Sequence, residues 1–413
     1  MRLPLIALGI VPIAVTAQEC GSSFSLDAED ITSQEDLNAL ENECTILLSD
    51  YQITSDFAGP FVLPGIINAS RIVGGSDGSG RSLDISSFEM PDLEFVDYLT
   101  LEQLDELETF SVPSLASAGS ITLDVGSHID IIDMPVLGET KALSLKGNLT
   151  DVSFGALHTV AYDLEVTNRR TTVPAETSMN VSFPALNSSD AIFIRGRASS
   201  VSLPELTSLA KPWQMTWESG SNFSLWGEAV ALDLPKLATV EGSIAFEGNI
   251  SSLLLPSLDL VLGNLTITAG DPLSIDIPEL GYAEVIRLTG EIESVSLPGL
   301  VNWYELHVDS DLAIDCDAFM DEYDRVPQLR VVTCMSRGTI EDSDTTDDST
   351  ENSEEDDDPI AQDEDSAVES QDDTEDDQQN GDDTGSAPLN VKRSIGTTSA
   401  TAFAVAGLAG LLF

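Results

Sequence analysis

A mainly β fold, a right-handed parallel β-helix with short helical caps and a disordered acidic tail, is predicted by three features of the sequence. The first is a recurring phrase, apolar-x-apolar-Pro-x-Leu. It reads FEMPDL at Pro91, FSVPSL at Pro113, IDMPVL at Pro135, VSFPAL at Pro184 and VSLPEL at Pro204. It returns as LDLPKL at Pro235, LLLPSL at Pro256, IDIPEL at Pro278 and VSLPGL at Pro298, with Gly155 replacing proline in VSFGAL. Seven of the nine intervals between these landmarks are 20–22 residues, and the other two, 29 and 31, leave room for loop insertions. The second is a glycine eight residues before the landmark in six repeats: Gly147, Gly196, Gly227, Gly248, Gly270 and Gly290. The third is apolar alternation of period two, the mark of short strands with one buried face.

Each feature has a physical role. Glycine supplies the positive φ that a turn between strands needs, and proline, lacking an N–H, is confined to strand ends, so it marks a corner of each coil. A repeat of this length cannot bury its own apolar face, so repeats must stack and share one core. About ten rungs are expected, spaced by roughly 4.8 Å. A β-sandwich also alternates, but nothing in a sandwich holds Gly and Pro in one register through six repeats.

The exposed ends of such a stack need covers. Ser33-Gln34-Glu35-Asp36 before Leu37, Leu40 and Cys44 reads as a capping box opening a short amphipathic helix. Asp317 to Arg325, with Phe319, Met320 and Tyr323, reads as a second cap. Cys20 and Cys44 flank the first, Cys316 and Cys334 the second. Four cysteines allow three pairings, but cross-pairing would join opposite ends of a rod, far beyond the ~7 Å Cα limit. Cys20–Cys44 and Cys316–Cys334 are therefore expected, and no CxxC points to zinc or redox chemistry.

Both termini read as addresses. Arg2, the apolar run Leu3–Val15 and the small residues Val15 and Ala17 form a secretion signal cleaved after Ala17, with Pro4 and Pro12 arguing against a buried helix. At the other end, Gly385-Ser386-Ala387, a polar spacer from Pro388 to Thr398 and an apolar tail to Phe413 match a glycosylphosphatidylinositol (GPI) signal. Gly385 is the preferred attachment residue, with Ser386 and Asn390 as alternatives. The resulting domains are a signal peptide over 1–17, a β-solenoid over 18–338, an acidic tether over 339–385 and a removed propeptide over 386–413.

Charge excludes whole classes of function. The chain has 72 Asp and Glu against 17 Lys and Arg, a net −55, so it offers no basic footprint for nucleic acid and none for anionic lipid. Residues 341–383 hold 22 acids and no base, too charged and too polar to form a core. The run also lacks the fixed ligand spacing of a calcium loop. Residues 18–340 still hold 50 acids and 14 bases, so the body itself is anionic.

Seven sequons, at Asn68, Asn148, Asn180, Asn187, Asn222, Asn249 and Asn264, predict heavy N-glycosylation. Asn148 and Asn249 each follow the repeat glycine, so that corner should meet solvent. Candidate chemistry is sparse. His128, His158 and His307 stand alone, and the carboxylate pairs Asp130/Asp133 and Asp259/Asp276 would serve glycoside hydrolysis only if brought within ~5–9.5 Å. Trp213 and Trp217, in the 31-residue interval, are candidate sugar-stacking residues, with Trp226, Trp303 and Tyr304 as further aromatics. No metal site and no cofactor are implied.

The signal peptide, the stretch Ile31-Thr32-Ser33-Gln34-x-Asp36-Leu37-x-x-Leu40-x-x-x-Cys44-Thr45-Ile46, the Leu-Pro-x-Leu rungs and the lipid-anchor tail occur together. In combination they resemble the fungal GPI-anchored cell-wall organisation proteins, which include sporulation-specific wall proteins. The resemblance spans roughly residues 1–340 plus the terminal signal. It implies a leucine-rich body like the receptor L domain and a non-enzymatic role in wall integrity, at the outer face of the plasma membrane or in the wall. No catalytic residue carries over. Cell-wall polysaccharide or mannoprotein is the implied partner, and membrane contact would be through the lipid alone. One departure stands out: the family's linker is rich in Ser, Thr and Ala, whereas this one is acidic, which puts dense O-glycosylation there in doubt. A recognition module binding polysaccharide or protein is the alternative function, and a polysaccharide hydrolase or lyase a lesser one.

Overall fold

The computed structural model describes residues 18–21, 28–75, 82–126, 129, 131–168, 178–210, 220–323 and 330–338. The segments expected to be a signal peptide, a tether and an anchor signal, residues 1–17 and 339–413, lie outside them. All the described residues belong to one compact unit, Met1–Thr345, a parallel β-solenoid of about 12 turns with two short helices. Among the described residues no helix is long and apolar enough to cross a membrane.

Each turn has three faces joined by corners. In the turn around Pro256, Thr239–Val240 forms the first face. Strand Ser243–Leu254 then runs through the second face, bends at Gly248 and continues as the third. One inward column shows how strictly the second face stacks. It runs Leu101, Leu123, Leu145, Val166, Ile194, Phe223, Phe246, Ile267, Leu288 and Val308, one residue per rung. All ten are buried. A parallel ladder leaves each side chain directly over its equivalent, so like packs on like and the core is continuous.

The landmark proline closes each turn. In LLLPSL the Leu258 N–H donates to the Leu255 carbonyl at 3.3 Å, and in VSLPEL Leu206 donates to Leu203 at 3.2 Å. These are four-residue turns with proline second, where its fixed φ is already correct. The apolar residues on either side, Leu255 and Leu258 or Leu203 and Leu206, are buried, so the phrase is a turn pinned by two core residues.

The stack exceeds the ten rungs the phrase marks because its ends use other sequences. Phe61-Val62-Leu63-Pro64-Gly65-Ile66 is an eleventh phrase, with Ile in the Leu position. Strands Glu29–Ile31 and Val331–Ser336 belong to rungs that lack it altogether. The two long intervals contain residues 169–177 and 211–219, both outside the described set.

The caps follow the expected chemistry. Helix α1 spans Gln34–Glu43 with Ser33 as N-cap. The Ser33 N–H donates to Asp36 Oδ2 at 2.9 Å, and the Asp36 N–H donates to Ser33 Oγ at 3.4 Å. Hydrogen bonds from the Thr32 N–H and hydroxyl, and then from the Ser33 hydroxyl and N–H, hold the Asp36 carboxyl below the ordinary aspartate range. Helix α2 spans Cys316–Tyr323 and buries Phe319 and Tyr323, which pack on each other, with Tyr323 edge-on to Trp303. Cys20 is bonded to Cys44 and Cys316 to Cys334, each with Cα atoms 5.5 Å apart.

The bases act as struts between rungs. Lys146 meets Glu165 at 2.8 Å, Lys236 meets Glu205 at 2.6 Å and Arg337 meets Asp309 at 2.7 Å, each pair joining consecutive turns. With far fewer bases than acids, most carboxylates on the rod remain uncompensated.

Candidate functional site: a split in the third face

The second face is one unbroken ladder, but the third is split in two places. Strands Ala58–Val62, Asp84–Glu89, Thr109–Ser111 and Ile131–Asp133 form a separate four-stranded sheet. The second split lies between residues 250–254 and 273–276. The first segment pairs backward with residues 230–233 and the second forward with residues 292–296. Among the described residues no backbone pair joins the two segments, although neighbouring rungs are tied by bonds such as Leu234 N–H to Leu254 O at 3.1 Å.

The rung at the split carries one extra residue after its corner. Gly270 occupies the glycine register of the sequence, yet Ala269 is the residue that pairs with both Gly248 and Gly290. Gly270 therefore lies one position past the corner. It also lacks the positive φ seen at Gly248 (105°) and Gly290 (92°), which corrects the expectation that all six repeat glycines serve one turn. The surplus is absorbed between Ala269 and Ser274, where the register shifts. Pro272 falls in that stretch and has no N–H to offer the preceding rung.

A groove of about 560 Å³ opens at the split. Asp233, Ser252, Leu254 and Pro256 line one side, and Pro272, Ser274, Asp276 and Glu293 the other. Leu254 is 54% exposed, an outward leucine in the column that elsewhere holds Asp233, Asp276 and Ser296. Ser274 Oγ donates to Glu293 Oε2 at 2.9 Å. No Lys or Arg lines the groove, and Lys236, next to Pro235, is held by Glu205.

The residues singled out in the sequence are scattered around this site. Asp276 lines the groove, but Asp259 lies on the first face, where its N–H donates to Ala238 O. The two therefore do not form a hydrolytic pair. Asp130, His128, Trp213, Trp217 and Gly385 lie outside the described residues. Asp133 accepts from Ser111 Oγ at 3.2 Å. His158 and His307 are on the surface, beside Thr159 and Thr333. Trp303 is core, with the Arg330 guanidinium 4.3 Å above its ring, while its neighbour Tyr304 is 62% exposed. Trp226 is half-buried. None of the seven sequon asparagines is buried, and they are spread over all three faces. Asn249 Nδ2 donates to the Gly227 carbonyl at 2.7 Å, beside the repeat-glycine corner.

One carboxylate pair has opposed surroundings. Partial burial, and then the charge of Glu165, raises Asp163 above the usual range. Burial alone would raise Glu165 too. Hydrogen bonds from Lys146 and Ser144, with the charges of Lys146 and Arg195, outweigh it and hold Glu165 below the usual range. Such divergence suits an acid–base pair. Yet Asp163 is exposed on the open sheet, and Glu165 is bound by Ser144 at 2.9 Å and by Lys146, so the arrangement reads as an inter-rung strut. Among the described residues no cluster of three His, Cys, Asp or Glu is placed to hold a metal.

The sequence of the chain has a counterpart among known proteins. The chain is similar to Protein ecm33 of Aspergillus fumigatus. The two are 26% identical over an alignment of 326 residues that covers 74% of this chain and 78% of that protein. No protein-family model matches the sequence, and no solved structure does.

Proposed function

We propose that this protein is a non-enzymatic glycoprotein of the fungal cell surface, held by a GPI lipid and contributing to organisation of the wall. The observation that carries the reading is the similarity to Protein ecm33, which covers 74% of the chain. The secretion signal, the terminal small-residue site with its apolar tail, and the seven sequons support it. The body fits a receptor L-domain-like, leucine-rich solenoid, and the acidic tether would hold it away from the membrane.

The test has two arms. Deleting the gene should raise sensitivity to wall-binding dyes, and unchanged wall integrity and composition would refute the wall role. Phosphatidylinositol-specific lipase should release the protein from cells. Release by glucanase alone would place it covalently in the wall, and secretion of the full chain into the medium would refute the anchor.

A second reading, recognition of wall polysaccharide, is favoured by Tyr304, which stands outward on the first face in the rung after Tyr282. Flat aromatic rings offer stacking surfaces to sugars. Glycan-array binding that disappears in Tyr304→Ala would support it, and binding indifferent to that change would count against it.

A further inference from the structure

We propose that the groove at the second split of the third face receives an extended, basic peptide segment of another protein, which adds as a strand between the two separated rungs. This inference goes beyond the wall reading and does not depend on it.

The first argument is backbone geometry. Residues 250–254 and 273–276 keep extended conformations, and each is paired on its far side only. Both therefore present a strand edge to the same groove. Exposed edges are templates for another strand, and the hydrogen bonds of strand addition do not depend on sequence. The segments are four and five residues long, about 13–17 Å of edge at roughly 3.3 Å per residue.

The second argument is charge. The groove carries Asp233, Asp276 and Glu293 and no base, on a body with 50 acids and 14 bases. An acidic or phosphorylated segment would be repelled, whereas lysine or arginine side chains would be drawn in and paired. Leu254, Pro256 and Pro272 provide apolar surface between the carboxylates, matching the aliphatic stems of those side chains. A single divalent cation fits poorly. Asp233 and Asp276 are two rungs apart, at least about 9.6 Å at ~4.8 Å per rung, while calcium–oxygen distances are about 2.3–2.6 Å. A neutral saccharide makes no use of the open backbone edges or of the uniform charge.

The experiment titrates a synthetic eight-residue peptide alternating lysine and valine into the full-length glycosylated protein, followed by fluorescence anisotropy. The same peptide with glutamate for lysine, and a β-glucan oligosaccharide, are run alongside. The lysine peptide should bind, more weakly as salt rises, and the glutamate peptide should not. Changing Asp233→Asn, Asp276→Asn and Glu293→Gln together should weaken binding at least tenfold. A charge-matched control, Glu94→Gln, Glu106→Gln and Glu108→Gln, should leave it within twofold. Hydrogen exchange should show new protection at Leu253–Leu255 and Ser274–Ile277. Equal weakening by the two triple variants would mean that the peptide follows the general acidic coat, and would overturn the proposal. So would no binding of the lysine peptide, or oligosaccharide binding that the groove variant abolishes.

Discussion

The third face is built twice, once tightly and once with a gap. Between Ala58 and Asp133 its strands pair without interruption, and Phe61, Phe88 and Phe110 stack beneath them with centroids 4.7 and 5.3 Å apart and ring planes nearly parallel. Between Val230 and Ser296 the same face has the same buried alternation and the same proline turns, yet it separates after Leu254. Core composition is not the difference, since Leu253, Leu255, Leu273 and Ile275 are all buried. What sets the separated rung apart is Pro272, without an N–H, inside the stretch where one surplus residue after Ala269 shifts the register. A solenoid keeps its rungs through apolar stacking and closes its faces through register, and the two can fail separately.

The largest expected effect tests the tight stretch. Phe88→Ala removes the middle ring of the stack, fully buried, and should cost about 3–5 kcal/mol in denaturant unfolding. Leu254→Ala at the gap should cost less than about 0.5 kcal/mol, as exposed positions do. Comparable losses would mean that the split is closed in solution.

Opening the Cys316–Cys334 bond with a double Cys→Ser change should cost about 3 kcal/mol, the scale for a loop of this length. The loss should show in unfolding, with hydrogen exchange rising first in Val331–Ser336. Uniform exchange along the rod would indicate that the end is no weaker than the middle.

Two glycines in one sequence register give the next contrast. At Gly248, with φ of 105°, a Cβ would lie 1.7 Å from the Leu225 carbonyl oxygen, so Gly248→Ala should cost at least about 1–3 kcal/mol. At Gly270 there is no positive φ, and the nearest atom would be the Asn249 side-chain oxygen at 2.7 Å, which can move. Gly270→Ala should be the milder by melting temperature. The reverse order would place the corner at Gly270 after all.

The smallest effect is at the N-terminal cap, where Ser33→Ala should cost about 1 kcal/mol. Because the Asp36 carboxyl is held below its ordinary range, its contribution is complete above about pH 4, the unfolded aspartate value. It declines as pH falls through the lower folded value. The difference between wild type and Asp36→Asn should therefore shrink under acid. A difference unchanged at low pH would deny the cap its charge.

Much of this architecture is written locally. The proline turn needs only its own six residues, because proline fixes φ and two flanking apolar residues find the core. Ser33 and Asp36 announce α1 for the same reason. The cysteines fall beside the two caps, and adjacency in the chain is what makes their pairing readable. The groove is different. Its one local signal is Pro272, two residues after a repeat glycine and six before a landmark proline, where other repeats carry a residue able to donate. Even that signal does not say which residue turns the corner, and the glycine pattern points to the wrong one.

The sequence alone determined that the chain coils, where each coil turns, how its ends are covered and that its surface is anionic. Those properties arise from neighbours in the chain and from composition. Tertiary structure decided that Ala269 takes the corner, that Trp303 is core while Tyr304 faces out, that Asp259 and Asp276 lie apart, and that the third face opens. Each of these depends on the register of one rung against the next, a relation between residues some twenty positions apart that no single repeat contains.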